Sequence, residues 1–168
     1  MSIIYTLEGE MITSNKLYEG QSFFRKMTTC SCEINICKIL QKYNHKNIVK
    51  IYQIGENYID MELLNIYLQN TLEIKNIMNC CKNDLQQLGI IYIDWKIDNI
   101  GLDINNNYKL FDFDGSGIID ILSKEWIQKP NSLFFSYRKA IENGQKNPID
   151  IDNFSFNMNM YNNETKIF

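Results

Sequence analysis

The chain has 168 residues, 45% of them hydrophobic, which predicts one domain or a compact two-lobed unit with a sizeable core. A net charge of −3 and a pI near 5.2 give no basic footprint, so we expect no nucleic-acid partner. No segment is apolar over the length of a membrane span, and the first residues carry neither a basic region nor a long apolar stretch. We therefore expect no membrane segment and no signal peptide.

The cysteines predict free thiols and not a metal site. Their C-x-C and C-C spacings do not suit zinc, and His45 is the only histidine. An odd number of cysteines without a secretion signal is typical of a reducing compartment, so we expect a cytoplasmic protein. The cysteines are Cys30, Cys32, Cys37, Cys80 and Cys81.

The first part of the chain, to about Leu64, predicts an antiparallel sheet and one helix. Gly9 and Gly20 separate the first short apolar runs, as turn residues do. Residues 32–43 carry apolar side chains near helical spacing, and residues 29–31 offer possible helix caps. The runs interpreted as strands are 3–5, 11–13, 22–24, 48–52 and 58–62.

The second part opens with the strongest helix pattern in the chain. Thr71 is a natural N-cap, apolar residues follow at helical spacing, and Gly89 is placed to end the helix. The apolar positions are Ile74, Ile77, Met78, Cys81, Leu85 and Leu88. We predict the boundary between the two parts between Leu64 and Asn70, which gives units of 1–64 and 65–168.

The last third of the chain gives weaker signals. Residues 100–102 and 108–111 predict a hairpin with its turn at 105–107. Residues 116–148 predict loop with one short helix. Residues 149–161 fit either a strand, by partial alternation, or a helix.

Four polar residues in the middle of the chain have the spacing of a phosphate-transfer site. Asp94, Lys96 and Asn99 follow the long helix on a loop, and the predicted hairpin would return Asp112 beside Asn99. One Asp can orient a hydroxyl and accept its proton, while an Asn and a second Asp hold magnesium and a Lys neutralises the moving phosphoryl group. Asp98 is interpreted as a turn residue.

Several segments resemble the protein-kinase family. YIDWKIDN, which begins at Tyr92, resembles the catalytic loop H-R-D-L-x-x-x-N, and KLFDFDG, which ends at Gly115, resembles the strand that runs into D-F-G. NHKNIVKIY, from Asn44, resembles the family's H-P-N-I-V segment. Residues 58–64 resemble the strand that enters the hinge, and DNFSF, from Asp152, resembles the start of the αF helix.

The resemblance implies an α+β, two-lobed, protein kinase-like fold. Its N-lobe (1–64) would be a small antiparallel sheet with one helix, and its truncated, mainly helical C-lobe (65–168) would hold the catalytic loop and the DFG-like motif. The implied activity is transfer of phosphate from ATP, with magnesium, to a Ser or Thr hydroxyl of a protein. A chain this short resembles a miniature kinase of the sort found in large DNA viruses, which would act in the host cytoplasm.

The same resemblance assigns roles to individual residues. Asp94 would deprotonate the hydroxyl and Lys96 would contact the γ-phosphate, while Asn99 and Asp112 would hold magnesium. Lys26 would pair with the phosphates, with Arg25 as its rival. The remaining residues expected around the nucleotide are Glu33 as the ion-pair partner of Lys26, Gly9, Met61 near the gatekeeper position, Glu62 and Leu64.

The chain departs from the family pattern at three places. Gly9 alone remains of the glycine-rich loop, which predicts weak covering of the phosphates by backbone amides. Tyr92 and Ile93 replace the His and Arg before Asp94, so we expect no switch by activation-loop phosphorylation. Asp114 replaces the third residue of D-F-G.

Two other functions stay open at the level of sequence. A catalytically weak or inactive kinase mimic that binds a protein would fit the missing glycine loop. A small-molecule kinase resembling the aminoglycoside and choline phosphotransferases would use Asp112 and Asp114 together as metal ligands. The sequence does not indicate an oligomeric state.

Overall fold

The computed structural model describes residues 23–66, 68–69 and 71–161, and the backbone of 2–5 and 11–14. This part of the chain is an α+β protein with small antiparallel sheets. The described helices are α1 (Ser31–Gln41), α2 (Leu72–Gln87), α3 (Phe135–Glu142) and α4 (Pro148–Phe156), which continues as a π-helical turn over Asn157–Tyr161. The described strands are β1 (Ser2–Tyr5), β2 (Met11–Ser14), β3 (Phe23–Met27), β4 (Ile51–Ile54), β5 (Tyr58–Glu62), β6 (Ile90–Ile91), β7 (Ile100–Leu102), β8 (Tyr108–Leu110), β9 (Gly117–Ile119) and β10 (Trp126–Gln128).

The early strands are antiparallel, as the sequence predicts, but they form two sheets and not the single sheet expected. β1 pairs with β2, and β5 lies between β3 and β4. β4 begins at Ile51 and not at Ile48, so the prediction of a strand over 48–52 was wrong at its start. The reason is a competing partner. Val49 N donates to the Leu110 carbonyl (2.9 Å), so residues 48–49 pair with β8 and not with β5.

Helix α1 buries one apolar face and begins without a side-chain cap. Ile36 and Cys37 are buried against β4 and the main core. The N-cap is Cys30, whose side chain makes no capping bond, so the capping role predicted for residues 29–31 is not seen. Thr28 Oγ1 instead accepts from Cys30 N (3.1 Å), which ties the end of β3 to the start of the helix.

Helix α2 confirms the strongest pattern in the sequence. Thr71 Oγ1 accepts from Ile74 N (3.3 Å) at the N-terminus. Gly89 follows the helix at φ +77°, a left-handed conformation that glycine adopts at little cost. The apolar face of α2 is buried in a core that it shares with α1, β4, β5 and α4. The most enclosed residues of this core include Ile36, Ile59, Met78, Leu85, Trp95 and Phe156.

The β7–β8 hairpin is also as predicted, with Ile100 opposite Leu110. Asp103 closes its turn by accepting from the backbone amides of Asn105 and Asn107, both at 2.8 Å. Asp103 therefore acts as a turn residue.

Replacing Asp103 by Asn should lower the free energy of unfolding by about 1 kcal/mol at pH 7. The backbone amides would then donate to a neutral amide oxygen instead of a charged carboxylate, and hydrogen bonds to a charged acceptor are the stronger ones. Burial by itself raises the pKa of Asp103, but the hydrogen bonds from Asn107 and Asn105 and the charge of Lys109 outweigh it, so the pKa lies below its usual value. A depressed carboxyl pKa contributes stability above the unfolded-state pKa, about 4, and loses it as the pH falls through the folded-state pKa. Urea unfolding of both proteins at pH 7 and pH 3 checks this: the difference should shrink at pH 3, and an unchanged difference would contradict it.

Residues 116–148 contain two strands that the sequence does not reveal, so the prediction of loop with one helix was wrong in part. β9 pairs with both β10 and β6, and α3 is the one short helix expected there. Each strand has only two or three residues, too few for an alternating pattern. Gly117 permits the packing, because a Cβ at that position would lie 2.4 Å from the Trp126 ring.

Residues 149–161, which the sequence left between strand and helix, are helical. Asn147 caps α4 through its side-chain oxygen, which accepts from Asp150 N (2.8 Å). A second, smaller core joins α3, α4 and the β6–β9 sheet, and its buried members are Ile91, Ile93, Ile119, Ala140 and Ile151.

All five cysteines are free, as expected. Among the helices that the structure describes, none combines the length and the apolar character needed to cross a membrane.

Candidate functional site

The loop between β6 and β7 brings three of the predicted residues together. A short 3₁₀ turn at Ile97–Asn99 folds Asn99 back, and its Nδ2 donates to both the carbonyl oxygen and the Oδ2 of Asp94, each at 3.0 Å. Lys96 Nζ lies 2.8 Å from the same Oδ2. The Asp94 side chain is 15% exposed, so its carboxylate reaches solvent while its orientation is fixed from two sides.

Lys26 on β3 joins two acidic residues from other elements. Its Nζ lies 2.7 Å from Glu33 Oε1 on α1 and 2.6 Å from Asp112 Oδ1. The predicted Lys26–Glu33 ion pair is therefore present. Glu33 is only 1% exposed and is held further by Thr28 Oγ1 (2.9 Å) and by the backbone N–H of Phe113 (3.3 Å). Sequence reasoning missed Thr28, whose local signal is only its place at the end of a strand.

Arg25, the rival to Lys26, has a different role. Its guanidinium donates two hydrogen bonds to the buried carboxylate of Asp60, at 2.6 and 2.8 Å, and lies over the Tyr58 ring. Lys26 and not Arg25 therefore lies at the acidic cluster.

The β8 strand delivers Asp112 to this cluster. Phe111 N donates to the Asn99 carbonyl (3.0 Å), which fixes the end of the hairpin against the loop that carries Asp94. Asp112 itself has φ +63°, a left-handed conformation that non-glycine residues adopt rarely and that is often found at functional sites. This hydrogen bond therefore holds the segment that carries Asp112 beside the loop that carries Asp94 and Asn99.

Asp114 adds a third carboxyl group beside Lys26, at 3.7 Å. Burial and the charge of Asp112, outweighing the attraction of Lys26, raise the pKa of Asp114 to about 6. Burial alone would also raise the pKa of Asp112, but the contact with Lys26 holds it below the usual value. For Lys26 the burial effect lowers the pKa, and the charges of Glu33, Asp112 and Asp114 more than compensate, so its pKa lies above the usual range. The cluster holds one cation among three carboxyl groups.

A cavity of about 410 Å³ opens beside these residues. Three of the residues predicted around a nucleotide, Met61, Glu62 and Leu64, line it. Three of the predicted catalytic and metal residues, Lys96, Asn99 and Asp112, line it as well, and Asp94 lies next to this lining through its contacts with Asn99 and Lys96. The remaining lining residues are Phe24, Leu63, Ile66, Asp98 and Phe111.

Asp98, interpreted as a turn residue, lies in the 3₁₀ turn and also lines the cavity. Gly9 lies outside the described residues. Within the ranges that the structure describes, no group of three or more His, Cys, Asp or Glu side chains forms a metal site.

Gly101 determines how closely the cavity wall approaches the hairpin. The backbone of Asn65 exchanges two hydrogen bonds with Leu102, at 2.8 and 2.9 Å, and a Cβ on Gly101 would lie 2.7 Å from Leu64 Cβ. Gly101→Ala should therefore displace the segment that carries Leu64 and destabilise the protein by about 1 to 3 kcal/mol. Urea unfolding measures the loss of stability. Gly144→Ala is the control for an added Cβ without a steric clash, because Gly144 has φ +82° and a Cβ there would find no atom within 4 Å. A Gly101 variant as stable as the wild type would contradict this.

No protein-family model matches the chain, and no curated protein matches it in sequence.

Proposed function

We propose that this protein is a phosphotransferase that uses ATP and magnesium, with a two-lobed organisation resembling that of Ser/Thr protein kinases. The observation that carries the proposal is that Asn99 and Asp112 line one cavity, while Asp94 is hydrogen-bonded to Asn99 and Lys26 lies 2.6 Å from Asp112. These are the residue types that phosphoryl transfer requires, and catalysis of this reaction depends mainly on positioning and electrostatics.

Asp94 is suited to orient and deprotonate a hydroxyl. Asn99 and Lys96 both contact its Oδ2, so the carboxylate is held in one direction before a substrate arrives. Burial tends to lower the pKa of Lys96, but its hydrogen bond to Asp94 and the negative charges around it raise the pKa, so Lys96 stays cationic. A fixed ammonium group at this place would stabilise the charge on the transferred phosphoryl group.

The residues present fit a magnesium ion in their donor chemistry. Asp112 and Asn99 would hold it through a carboxylate and an amide oxygen, the hard ligands that magnesium prefers, with phosphate oxygens completing the set. When bound, magnesium would neutralise phosphate charge. The chain's own contribution is to hold these two side chains together through the Phe111–Asn99 backbone hydrogen bond.

Lys26 is suited to pair with nucleotide phosphates. Glu33 lies almost fully buried and keeps the Lys26 ammonium group directed at Asp112. The apolar residues that line the cavity, among them Met61 and Leu64, suit a planar base.

One observation favours a second candidate, a small-molecule kinase. Asp112 and Asp114 both lie close to the ammonium group of Lys26. Two metal ligands in a D-x-D motif would face a bound cation in the same way. Comparing transfer to protein and to aminoglycoside or choline acceptors separates the two candidates.

The first test is binding. Thermal unfolding with magnesium and ATP at 100 times the dissociation constant should show stabilisation of about 2.7 kcal/mol, and magnesium alone or ATP with a chelator should give much less. No stabilisation at millimolar ATP with magnesium would contradict the proposal and favour a kinase mimic that binds a protein partner.

A further inference from the structure

One buried carboxylate holds both neighbours of Asp94. Asp152, on α4, is fully buried, and its Oδ1 accepts from the backbone N–H of Ile93 (2.9 Å) and from the indole Nε1–H of Trp95 (2.7 Å). Its Oδ2 accepts from the Gln86 side chain on α2 (2.8 Å). The residues on either side of Asp94 are therefore fixed to a single group, which two helices hold in turn.

The indole of Trp95 is itself fully enclosed. It packs against Tyr92 with ring centroids 4.6 Å apart and against Phe156 on α4 with centroids 5.0 Å apart. Any large apolar side chain would fill part of this space. Only the indole N–H supplies the hydrogen bond to Asp152, since Trp is a donor and phenylalanine is not.

The backbone at this place requires such an anchor. Ile93 has φ +69°, which a β-branched residue adopts only when surrounding contacts compel it. Trp95 N donates to the Ile93 carbonyl and Asp94 N donates to the Tyr92 carbonyl, each at 2.8 Å, so the strained turn projects Asp94 outward. Loosening either flank would let the turn relax and change the direction of Asp94.

We infer that Trp95 is a positioning residue that acts through Asp152 to fix the direction of the Asp94 carboxylate. The inference rests on the proposed function for its catalytic consequence, but the anchoring of the loop is independent of it. The ion pairs of Lys26, which is proposed to bind the nucleotide phosphates, are with Glu33, Asp112 and Asp114 and do not involve Trp95. Loss of the indole bond should therefore affect turnover and not nucleotide binding.

The test compares Trp95→Phe with Trp126→Phe, which alters the chain's other tryptophan. Trp95→Phe should lower kcat about 10- to 100-fold, because small misplacements of a catalytic group cost this much, and should leave the KM for ATP within about twofold. Trp126→Phe should keep the wild-type kcat. An unchanged kcat in folded Trp95→Phe, or a fall in kcat matched by an equal rise in KM, would overturn the inference.

A second measurement needs neither activity nor a folded variant. In the wild-type protein, hydrogen exchange followed by NMR should be at least tenfold slower at the Trp95 indole N–H than at the Trp126 indole N–H. The Ile93 amide should be protected to the same degree as the Trp95 indole. A Trp95 indole that exchanges as fast as that of Trp126 overturns the inference. A wild type that transfers no phosphate but shows the protected indole contradicts the proposed function and leaves the anchored loop standing.

Discussion

Replacing Asp94 by Asn should lower phosphate transfer by about 10²- to 10⁴-fold, the usual contribution of a positioned general base. The amide cannot accept the hydroxyl proton, yet it keeps the shape of the carboxylate. The binding of ATP with magnesium should be unchanged, because Lys26, Asp112 and the cavity residues remain. Turnover and the ATP-dependent thermal shift, measured on the same samples, check the two halves of this expectation.

Asp84→Asn is the matched control. It removes one negative charge from a half-exposed side chain that contacts His45 and lies outside the site. It should keep wild-type turnover. Equal activity of the wild type and Asp94→Asn would rule out Asp94 as the base.

Lys26→Met should abolish the thermal shift produced by ATP and magnesium, and should destabilise the protein by about 3 to 5 kcal/mol. The second effect follows because removal of one partner leaves a buried charge uncompensated, here on Glu33 and Asp112. Adding Glu33→Gln removes one of the two charges and should restore part of the stability, without restoring the response to ATP. Urea unfolding and thermal shifts of the single and double variants measure both effects.

Arg25→Met is the control for the loss of an ion pair as such. Arg25 neighbours Lys26 on β3 and also pairs with a fully buried carboxylate, that of Asp60. It should destabilise the protein by a similar amount while the response to ATP persists. If both variants lose the response equally, Lys26 has no special role in nucleotide binding.

The parts of the fold that could be predicted from the sequence are those specified by nearby residues. Helix α2 carries its own cap at Thr71 and its own stop at Gly89, and β5 was predicted with its observed bounds. The turn at Asp103 depends on residues within four positions. In each case the partners that decide the structure lie in the same stretch of sequence.

The parts that could not be predicted depend on distant partners. β9 has three residues and exists because β6 and β10 lie on either side of it. β4 starts late because Val49 bonds with Leu110, which no local pattern indicates. The sequence of residues 149–161 fits both a strand and a helix, and the helix that is observed buries Ile151 and Phe156 against distant parts of the chain.

In the candidate site, too, contacts between residues near in sequence could be predicted and contacts between distant residues could not be predicted from local patterns. Asp94 and Asn99 are five positions apart, so their spacing alone predicted that they lie together, as they do. Lys26 and Asp112 are separated by 86 positions, and only the resemblance to protein kinases suggested that they meet. The bond from Trp95 to Asp152 spans 57 positions, and no local pattern in the sequence indicates it, so only the structure shows it.

The most direct test of the proposed phosphotransfer centre is incubation of the protein with γ-labelled ATP and magnesium, alone and with generic protein substrates, beside Asp94→Asn and Asp84→Asn. The proposal predicts label transfer by the wild type and by Asp84→Asn, and a loss of at least about 100-fold for Asp94→Asn. Nucleotide binding without any transfer by the wild type, or transfer that survives in Asp94→Asn, would contradict it.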